Sequence, residues 1–293
     1  GRFLDENDAK GDIFAIYHDI KDTLGVRFVP DIFRYLGVYP SFLTHAWPMI
    51  KEIVGSRDFE ERADELRHNT TKLIDGFDRK EYHEKVKNSV GVNELKDIDD
   101  ALSLFYYVDP KLCLILIPIE RALSEHGVKH YETSERVLET PLFSYNWKKK
   151  IHETEISFVE EEEARGKVKE IYNDIKSTEG LKFVSRDYLS LGKWSGYLAS
   201  AWTSLKKHIN SENYISTVAK VREYAVELTD DYEIPIEVEK IKAWEKAWGV
   251  SNEDVEDIRY AMLEFSEYLP KLTTNITILW KGAQELLGKE PVI

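Results

Sequence analysis

The sequence has a single cysteine and no long apolar run. Cys113 is the only cysteine among 293 residues, so the chain can form no internal disulfide bond. It stands within "LCLILIPI", residues 112–119, and we expect it to be a buried packing residue. That run is the longest apolar stretch and is far shorter than the roughly 20 residues that cross a bilayer. The sequence also starts without a basic and apolar leader, so we expect a cytoplasmic protein.

Motifs for phosphate, redox and nucleic-acid chemistry are missing as well. The sequence has no Gly-x-Gly-x-x-Gly, Gly-Lys-Thr or Gly-x-Ser-x-Gly, which argues against phosphate cradles and serine hydrolase elbows. One cysteine excludes dithiol redox chemistry. The net charge of −14 disfavours nucleic acid, because a phosphate backbone requires a basic surface. We therefore expect a small-molecule ligand, and an anionic ligand would need hydrogen-bond donors close to its site.

What the sequence does contain is an internal repeat. A shift of 155 places lays residues 9–47 over residues 164–202, with 16 of 39 positions identical, where chance composition would give roughly two or three. Farther along the chain the shift grows to 160, and Pro110 and Lys111 match Pro270 and Lys271. We interpret the chain as a duplication of one unit.

Each unit has the pattern of α-helices. In "GKVKEIYNDIK" the apolar residues recur at spacings of three and four, and Gly180 follows as a stop signal. The last long stretch has the same period, with Pro270 as a kink or break. No alternating strand pattern persists, so we predict an all-α fold.

We predict that the two helical repeats pack as an intramolecular pseudo-dimer. Residues 1–125 form the first repeat, residues 126–155 an irregular connector and residues 156–293 the second repeat, all within one compact unit. Similar units should pack about a pseudo-twofold axis, as a homodimer does, each covering the apolar face of the other. Trp47 and Trp202, identical in the two repeats, are expected to be core anchors. The candidate site would then lie at the interface between the repeats.

Metal ligation is not expected from the sequence. Glu65 and His68 form one Glu-x-x-His motif, but the second repeat has Lys220 and Glu223 at the corresponding positions. Half of a di-iron site is therefore missing. Two histidines of the connector, four residues apart, lack a third ligand for zinc.

The two repeats differ at one informative position. "FVSRDYLSLG", residues 183–192, has Asp187 where "FVPDIFRYLG", residues 28–37, has Ile32. If matching positions of both repeats line one seam, an acid in only one copy makes a single asymmetric site. From spacing alone, Asp187 could instead cap a helix, and Asp31 invites the same interpretation.

These segments resemble the group I DL-2-haloacid dehalogenases. The similarity runs in order through "GDIFAIYHDIKDTLGVRFV", "YPSFLTHAW", "RADELR", "FYYVDPKLCLI", "FVSRDYLSLGKWSGYL" and "NITIL". The resemblance implies an all-α pseudo-dimer with its site between the repeats, and neither metal nor cofactor. It implies hydrolysis of short-chain 2-haloacids with inversion, in which an Asp-activated water attacks the halogen-bearing carbon directly and no covalent intermediate forms.

The resemblance also implies two catalytic residues. The family's catalytic Asp falls on Asp187, and the Asn before Pro-Lys that helps to hold the water falls on Asp109, which is a departure from the family. Two carboxylates facing one small pocket cannot both ionise cheaply, so we expect a coupled pair with one raised pKa. A neutral Asp109 would donate a hydrogen bond as the Asn amide does, and we predict that this exchange lowers the pH optimum.

Four further residues are assigned to substrate binding by the resemblance. Phe28 keeps one aromatic of the pocket, and Asp31 stands where the family has a second aromatic. Arg186 replaces a small hydroxyl residue and could offer the substrate carboxylate a bidentate partner. A pocket tyrosine corresponds to Tyr268. The alternative hypothesis is a non-dehalogenating protein of the same fold that binds or processes another small carboxylic acid, and the sequence leaves open whether two chains pair as a homodimer.

Overall fold

The computed structural model describes residues 2–124, 143–236 and 249–289. Within these ranges the chain forms α-helices, two short 3-10 helices at Glu6–Asp8 and Ile74–Gly76, and no strand, so the predicted all-α fold is confirmed. His126, His130 and most of the predicted connector lie outside the described residues. The α-helices are α1 Gly11–Leu24, α2 Asp31–Leu36, α3 Pro40–Val54, α4 Arg57–Leu73, α5 Lys80–Ser89, α6 Val92–Leu123, α7 Tyr145–Glu153, α8 Gly166–Glu179, α9 Arg186–Leu189, α10 Ser195–Lys206, α11 Glu212–Leu228 and α12 Asn252–Leu286.

Matching positions of the two halves have the same local structure. Helices α1 and α8 both end at a glycine in the left-handed conformation, with φ of 77° and 69°, which favours glycine because other side chains are strained there. The Trp47 indole donates to Asp19 at 2.8 Å, and the Trp202 indole donates to Asp174 at 2.8 Å. Both tryptophans are buried, as expected for core anchors.

The long helices α6 and α12 pack along each other at the centre of the fold. Each contains a proline at the matching position, and α12 continues through Pro270, so of the predicted kink or break the break is absent. A proline lacks the N–H that would bond the carbonyl four residues earlier. Arginines at matching positions satisfy that carbonyl: Arg67 Nε donates to Tyr106 O at 3.1 Å, and Arg222 Nη1 donates to Ser266 O at 2.9 Å. The same arginine–proline pairing thus keeps both long helices continuous.

Helix α6 contains the longest apolar run. By length and composition it could cross a membrane, but its apolar window is entirely buried inside the protein, and a core helix has the same composition. Cys113 within it is buried, as predicted, and burial raises the pKa of its thiol to about 12. The thiol is therefore protonated and unreactive at neutral pH.

The predicted irregular connector contains a helix, α7, so that part of the prediction is wrong. Ser144 caps α7 by accepting the Trp147 N–H at 3.2 Å, and Ile151 on the same face is buried. The cap and two apolar residues four apart are helix signals. The intervening lysines obscure them, and one of these, Lys148, donates to the buried Asp64 at 2.9 Å.

Candidate active site

Two acids from different helices meet at the centre of the fold. Asp109 lies in the middle of α6, directly before Pro110, and Asp187 lies in α9. Only 1% of Asp109 and 3% of Asp187 is exposed. Their carboxyl groups lie close enough together to shift each other's pKa. The N-cap residue of α9 is Ser185, so Asp187 does not cap that helix.

A small cavity lies beside the acid pair. Its volume is about 30 Å³, close to the share of one water molecule in the liquid. Aromatic and aliphatic side chains form most of its wall. All six residues that the sequence nominated line it, and so does Ser185: the six are Phe28, Asp31, Asp109, Arg186, Asp187 and Tyr268.

Three polar atoms on the cavity wall have no partner of good hydrogen-bond geometry among the described residues. They are Asp109 Oδ2, Asp187 Oδ2 and Ser185 Oγ, and all three are buried. Buried polar groups are nearly always hydrogen-bonded, and a buried water typically makes two to four such bonds, about as many as these atoms offer. The cavity therefore has both the size and the polar partners to hold a water molecule between the two carboxyl groups.

Burial and mutual repulsion raise the pKa of both acids. Burial raises the pKa of Asp109 to about 8, partly opposed by the hydrogen bond from Asp187. The pKa of Asp187 is also raised well above its ordinary value, first by burial and then by the charge of Asp109. Asp109, which ionises near pH 8, is therefore protonated at neutral pH, and the two acids titrate as a pair. The predicted coupling is present, whereas the predicted lowering of the pH optimum stays a prediction; the raised pKa of Asp109 favours a base that works at higher pH.

Arg186 faces acids on several sides. Its Nη1 donates to Glu160 at 2.5 Å, and its Nε and Nη2 lie 3.8 and 3.7 Å from Asp31 and Asp5. The guanidinium also lies over the Phe158 ring at 4.4 Å. Since Arg186 is held by acids of the protein, a ligand carboxylate would have to displace Glu160 to reach it.

Asp31 is the centre of the same ion cluster. It accepts from Arg34 Nη1 at 2.7 Å and from the Arg186 backbone N–H at 3.3 Å. On the far side of this cluster lies a larger cavity of about 340 Å³, also lined by Asp31. The cluster of Asp31, Arg34, Arg186 and Glu160 thus separates the cavity at the acid pair from the larger cavity outside.

Sequence reasoning missed a second polar group beside the acid pair, centred on Glu179. Tyr268 Oη donates to Glu179 Oε2 at 2.9 Å, and Tyr188 Oη donates to Oε1 at 3.2 Å. Asn275 Nδ2 donates to Oε1 at 3.4 Å. Burial raises the pKa of Glu179 to about 7, the two tyrosine donors oppose the shift, and Asp187 adds to it.

A signal for this group was present in the repeat. At the shifts of 155 and 160, the counterparts of its members in the first half are all apolar. The same contrast, a polar residue in one repeat where the other has an apolar one, distinguishes Asp187 from Ile32. The four pairs are Glu179 and Leu24, Tyr188 and Phe33, Tyr268 and Val108, and Asn275 and Ile115.

A buried acid pair beside a water-sized cavity, held between long helices, defines an all-α site suited to the activation of water. A family model described as "Halocarboxylic acid dehydrogenase DehI" matches residues 27–188, more than half of the chain. The chain belongs to this DehI family. Two curated relatives of the chain are named 2-haloacid dehalogenases. The resemblance noted from the sequence is thereby confirmed.

Two curated relatives show how far the similarity extends. The (R)-2-haloacid dehalogenase of Pseudomonas putida is 24% identical over 287 residues, covering 94% of this chain and 90% of the relative. The configuration-inverting 2-haloacid dehalogenase of Alcaligenes xylosoxydans xylosoxydans is 28% identical over 133 residues, covering 45% of this chain and 44% of the relative.

Solved structures share the fold over almost the whole chain. A D-2-haloacid dehalogenase mutant in complex with D-2-CPA has a TM-score of 0.79 and 23% identity, covering 96% of this chain and 95% of that one. A D-2-haloacid dehalogenase with L-LA has a TM-score of 0.78 and 24% identity, covering 96% of each chain. At these identities the likeness concerns the fold.

Proposed function

We propose that this protein hydrolyses the carbon–halogen bond of short-chain 2-haloacids. The observation that carries the proposal is the buried pair of Asp109 and Asp187, whose free Oδ2 atoms face a cavity the size of one water. Family membership supports the reaction class. The overall reaction converts a 2-haloacid and water into a 2-hydroxy acid, a halide ion and a proton.

In the proposed mechanism Asp187 acts as the general base. The pair first loses one proton, and the remaining proton sits on Asp109, which donates a hydrogen bond to the water. Asp187 accepts a proton from that water as its oxygen attacks carbon 2 from the side opposite the halogen. The halide leaves with the bonding electron pair, the carbon is inverted and no ester forms. Base catalysis of this kind contributes about 10²–10⁴ in rate.

The identity of the base is a separate question from the presence of the reaction. The hydrogen bond between the acids lowers the pKa of Asp109 and raises that of Asp187, which favours the proton on Asp187 before substrate binds. A proton shared by two hydrogen-bonded carboxyl groups belongs to the pair. A bound water that accepts from Asp109 and donates to Asp187 would stabilise the arrangement that the mechanism needs.

We propose that the substrate carboxylate binds Arg186 in exchange for Glu160. The acid cluster around Arg186 is open to the larger outer cavity, so a small anion can approach from that side, and a guanidinium can bind a carboxylate through two N–H groups. Phe28 and Tyr268 would form the wall against the rest of the substrate. Because the cavity at the acid pair is smaller than a 2-haloacid, binding must move the Arg186 cluster outward.

The finer architecture also belongs to the proposal. We propose that the halves form an intramolecular pseudo-dimer by duplication, supported by the paired glycine, tryptophan and proline features of both halves. The reaction as written requires no cofactor or metal, its ligand is a small carboxylic acid, and we propose a cytoplasmic location. The division at residues 125 and 155, and homodimer formation, stay predictions.

The test is halide release from D- and L-2-chloropropionate. Wild type should release halide from at least one of them, and Asp187→Asn should lower kcat about a hundredfold or more. Glu170→Gln, an exposed acid of α8, is the matched control and should behave as wild type. If Asp109→Asn abolishes release while Asp187→Asn retains it, Asp109 is the base.

A second candidate function rests on the occupied Arg186. Glu160, Asp31 and Asp5 already pair with its guanidinium, so a small acid that displaces them could bind at Arg186 without reaching the Asp109 and Asp187 pair. Absence of halide release from both enantiomers by wild type, with retained binding of lactate or 2-chloropropionate by calorimetry, would favour that function.

A further inference from the structure

The proposed hydrolysis produces a proton on acids that are shielded from bulk solvent. Asp109 and Asp187 have exposed fractions of 1% and 3%, so neither can pass a proton directly to bulk solvent. Each turnover would leave one extra proton on the pair. Since the pair must be singly ionised before the next water can be activated, that proton needs a route outward.

A polar route leads from the cavity toward the protein surface. Tyr268 lines the cavity together with Asp187 and Ser185, and its hydroxyl donates to Glu179 Oε2 at 2.9 Å. Glu179 is the last residue of α8 and is half-buried, and the next residue, Gly180, is exposed. The carboxyl group of Glu179 therefore meets a tyrosine of the cavity wall, while its residue lies near the protein surface.

The charges that face Glu179 leave it able to exchange a proton near neutral pH. The groups around it are Asp187 of α9, Tyr188 of α9, and Tyr268 and Lys271 of α12, together with the Asn275 amide. Burial and Asp187 raise its pKa to about 7, whereas the tyrosine donors and Lys271 lower it. The acid pair ionises near pH 8 and Glu179 near pH 7. The equilibrium constant for proton transfer from the pair to Glu179 is therefore unfavourable by about tenfold, which still allows a fast relay.

Such a route is present in only one half of the chain. The positions that match Glu179, Tyr188, Tyr268 and Asn275 hold leucine, phenylalanine, valine and isoleucine. Burial of the four polar residues costs desolvation free energy, which burial of the four apolar residues in the other half does not. The half that carries them is also the half that carries Asp187.

We infer that Tyr268 and Glu179 conduct the reaction's proton from the acid pair to solvent, an inference that rests on the proposed function. Protonated Asp187 gives its proton to Tyr268 Oη, directly or through a water in the cavity, as Tyr268 gives its own hydroxyl proton to Glu179. Glu179 then releases a proton at the surface, and the Tyr268 O–H turns back to its first position. One proton leaves the pair, one enters solvent, and no other bond changes.

The test needs no substrate and so does not depend on dehalogenation. The carbonyl stretch of protonated buried carboxyl groups is followed by infrared spectroscopy after rapid transfer from H₂O to D₂O at pH 6, with Asp109→Asn and Asp187→Asn used to assign the bands. We expect the pair's band to shift at least tenfold more slowly in Glu179→Gln and in Tyr268→Phe than in wild type. Glu170→Gln, on the exposed face of the same helix, should exchange as wild type does.

The outcomes separate this inference from the proposed function. Exchange of the pair at the wild-type rate in both Glu179→Gln and Tyr268→Phe overturns the relay, whether or not halide is released. If Glu179→Gln does not fold, Tyr268→Phe decides alone. In a wild type that releases halide, Glu179→Gln should also lower kcat with little change in KM and increase the solvent deuterium isotope effect on kcat. A raised KM with an unchanged isotope effect would indicate a structural role instead.

Discussion

The acid pair makes a sharp prediction about pH when Asp109 is replaced by Asn. In wild type the first proton leaves the pair near pH 8, so at pH 6 only about 1% of the molecules hold the ionised form. The rate of halide release should therefore rise about tenfold per pH unit up to pH 8. In wild type Asp109 ionises near pH 8, and its charge and hydrogen bond then hold the proton on Asp187; in Asp109→Asn both are gone, and burial and the charge of Asp31 remain as the causes that raise the pKa of Asp187.

The expected result is a rising limb displaced to lower pH. Loss of a close like charge lowers a carboxyl pKa by about one unit or more. The variant should thus keep at least about ten times more of its own maximal kcat at pH 6 than wild type does. The substituted amide still donates a hydrogen bond to the water, so the variant should retain activity at its optimum.

The assay is the initial rate of halide release from saturating 2-chloropropionate between pH 5 and pH 9. Asp31→Asn is the graded comparison, because Asp31 also raises the pKa of both acids but is the smallest cause. Its limb should move less than that of Asp109→Asn. Coincident limbs for wild type and Asp109→Asn would refute the coupling of the two carboxyl groups as the source of the pH dependence.

Three further predictions follow from the same contacts. Arg186→Met should raise KM for 2-chloropropionate about tenfold or more with a smaller effect on kcat, because a charge-assisted hydrogen bond contributes about 1.5–3 kcal/mol; an unchanged KM would contradict the proposed carboxylate site. Because the pKa of Asp109 is raised in the folded protein, its contribution to stability is complete below about pH 4 and is lost as the pH rises to about 8. The Tm of Asp109→Asn should therefore rise relative to that of wild type between pH 5 and pH 8, as measured by thermal denaturation. Trp47→Phe and Trp202→Phe each remove one indole N–H hydrogen bond of 2.8 Å, and each should lower the free energy of unfolding in urea by about 1 kcal/mol or more. A large difference between the two losses of free energy would count against equivalent roles.

The repeat made much of the fold predictable. Helix periodicity and the stop at Gly180 predicted α8, the repeat extends this pattern to α1, and the family resemblance named Asp109 and Asp187 together. The helix α7 was missed because the lysines between Trp147 and Ile151 mask its apolar face. The sequence left a kink or a break open at Pro270, because the arginine that satisfies the carbonyl freed by Pro270 lies on another helix.

The residues of the site were predictable from the sequence, but their protonation and ion pairing were not. All six nominated residues line one cavity, since each was located by the family pattern or by the repeat. The pKa values of the two acids depend on how deeply both are buried, which spacing does not reveal, so the predicted direction of the pH shift stays a prediction. The occupation of Arg186 by Glu160 joins residues 26 positions apart, and only the packing of the chain places those charges together.

The difference in polarity between the halves explains where the site lies. If the two halves arose by duplication, as proposed, both sides of their seam started equivalent and each could acquire an acid. Here the side with Asp187 also has Glu179 and its tyrosines, whereas the matching side has leucine and phenylalanine. A buried acid that turns over needs both a partner to tune it and an outlet for its proton, and Asp109 on the opposite long helix supplies the first. Glu179 lies in the same half as Asp187, which keeps the proposed proton outlet close to the proposed base. The apolar residues of the other half keep the local dielectric constant low, which strengthens the interaction between the acids.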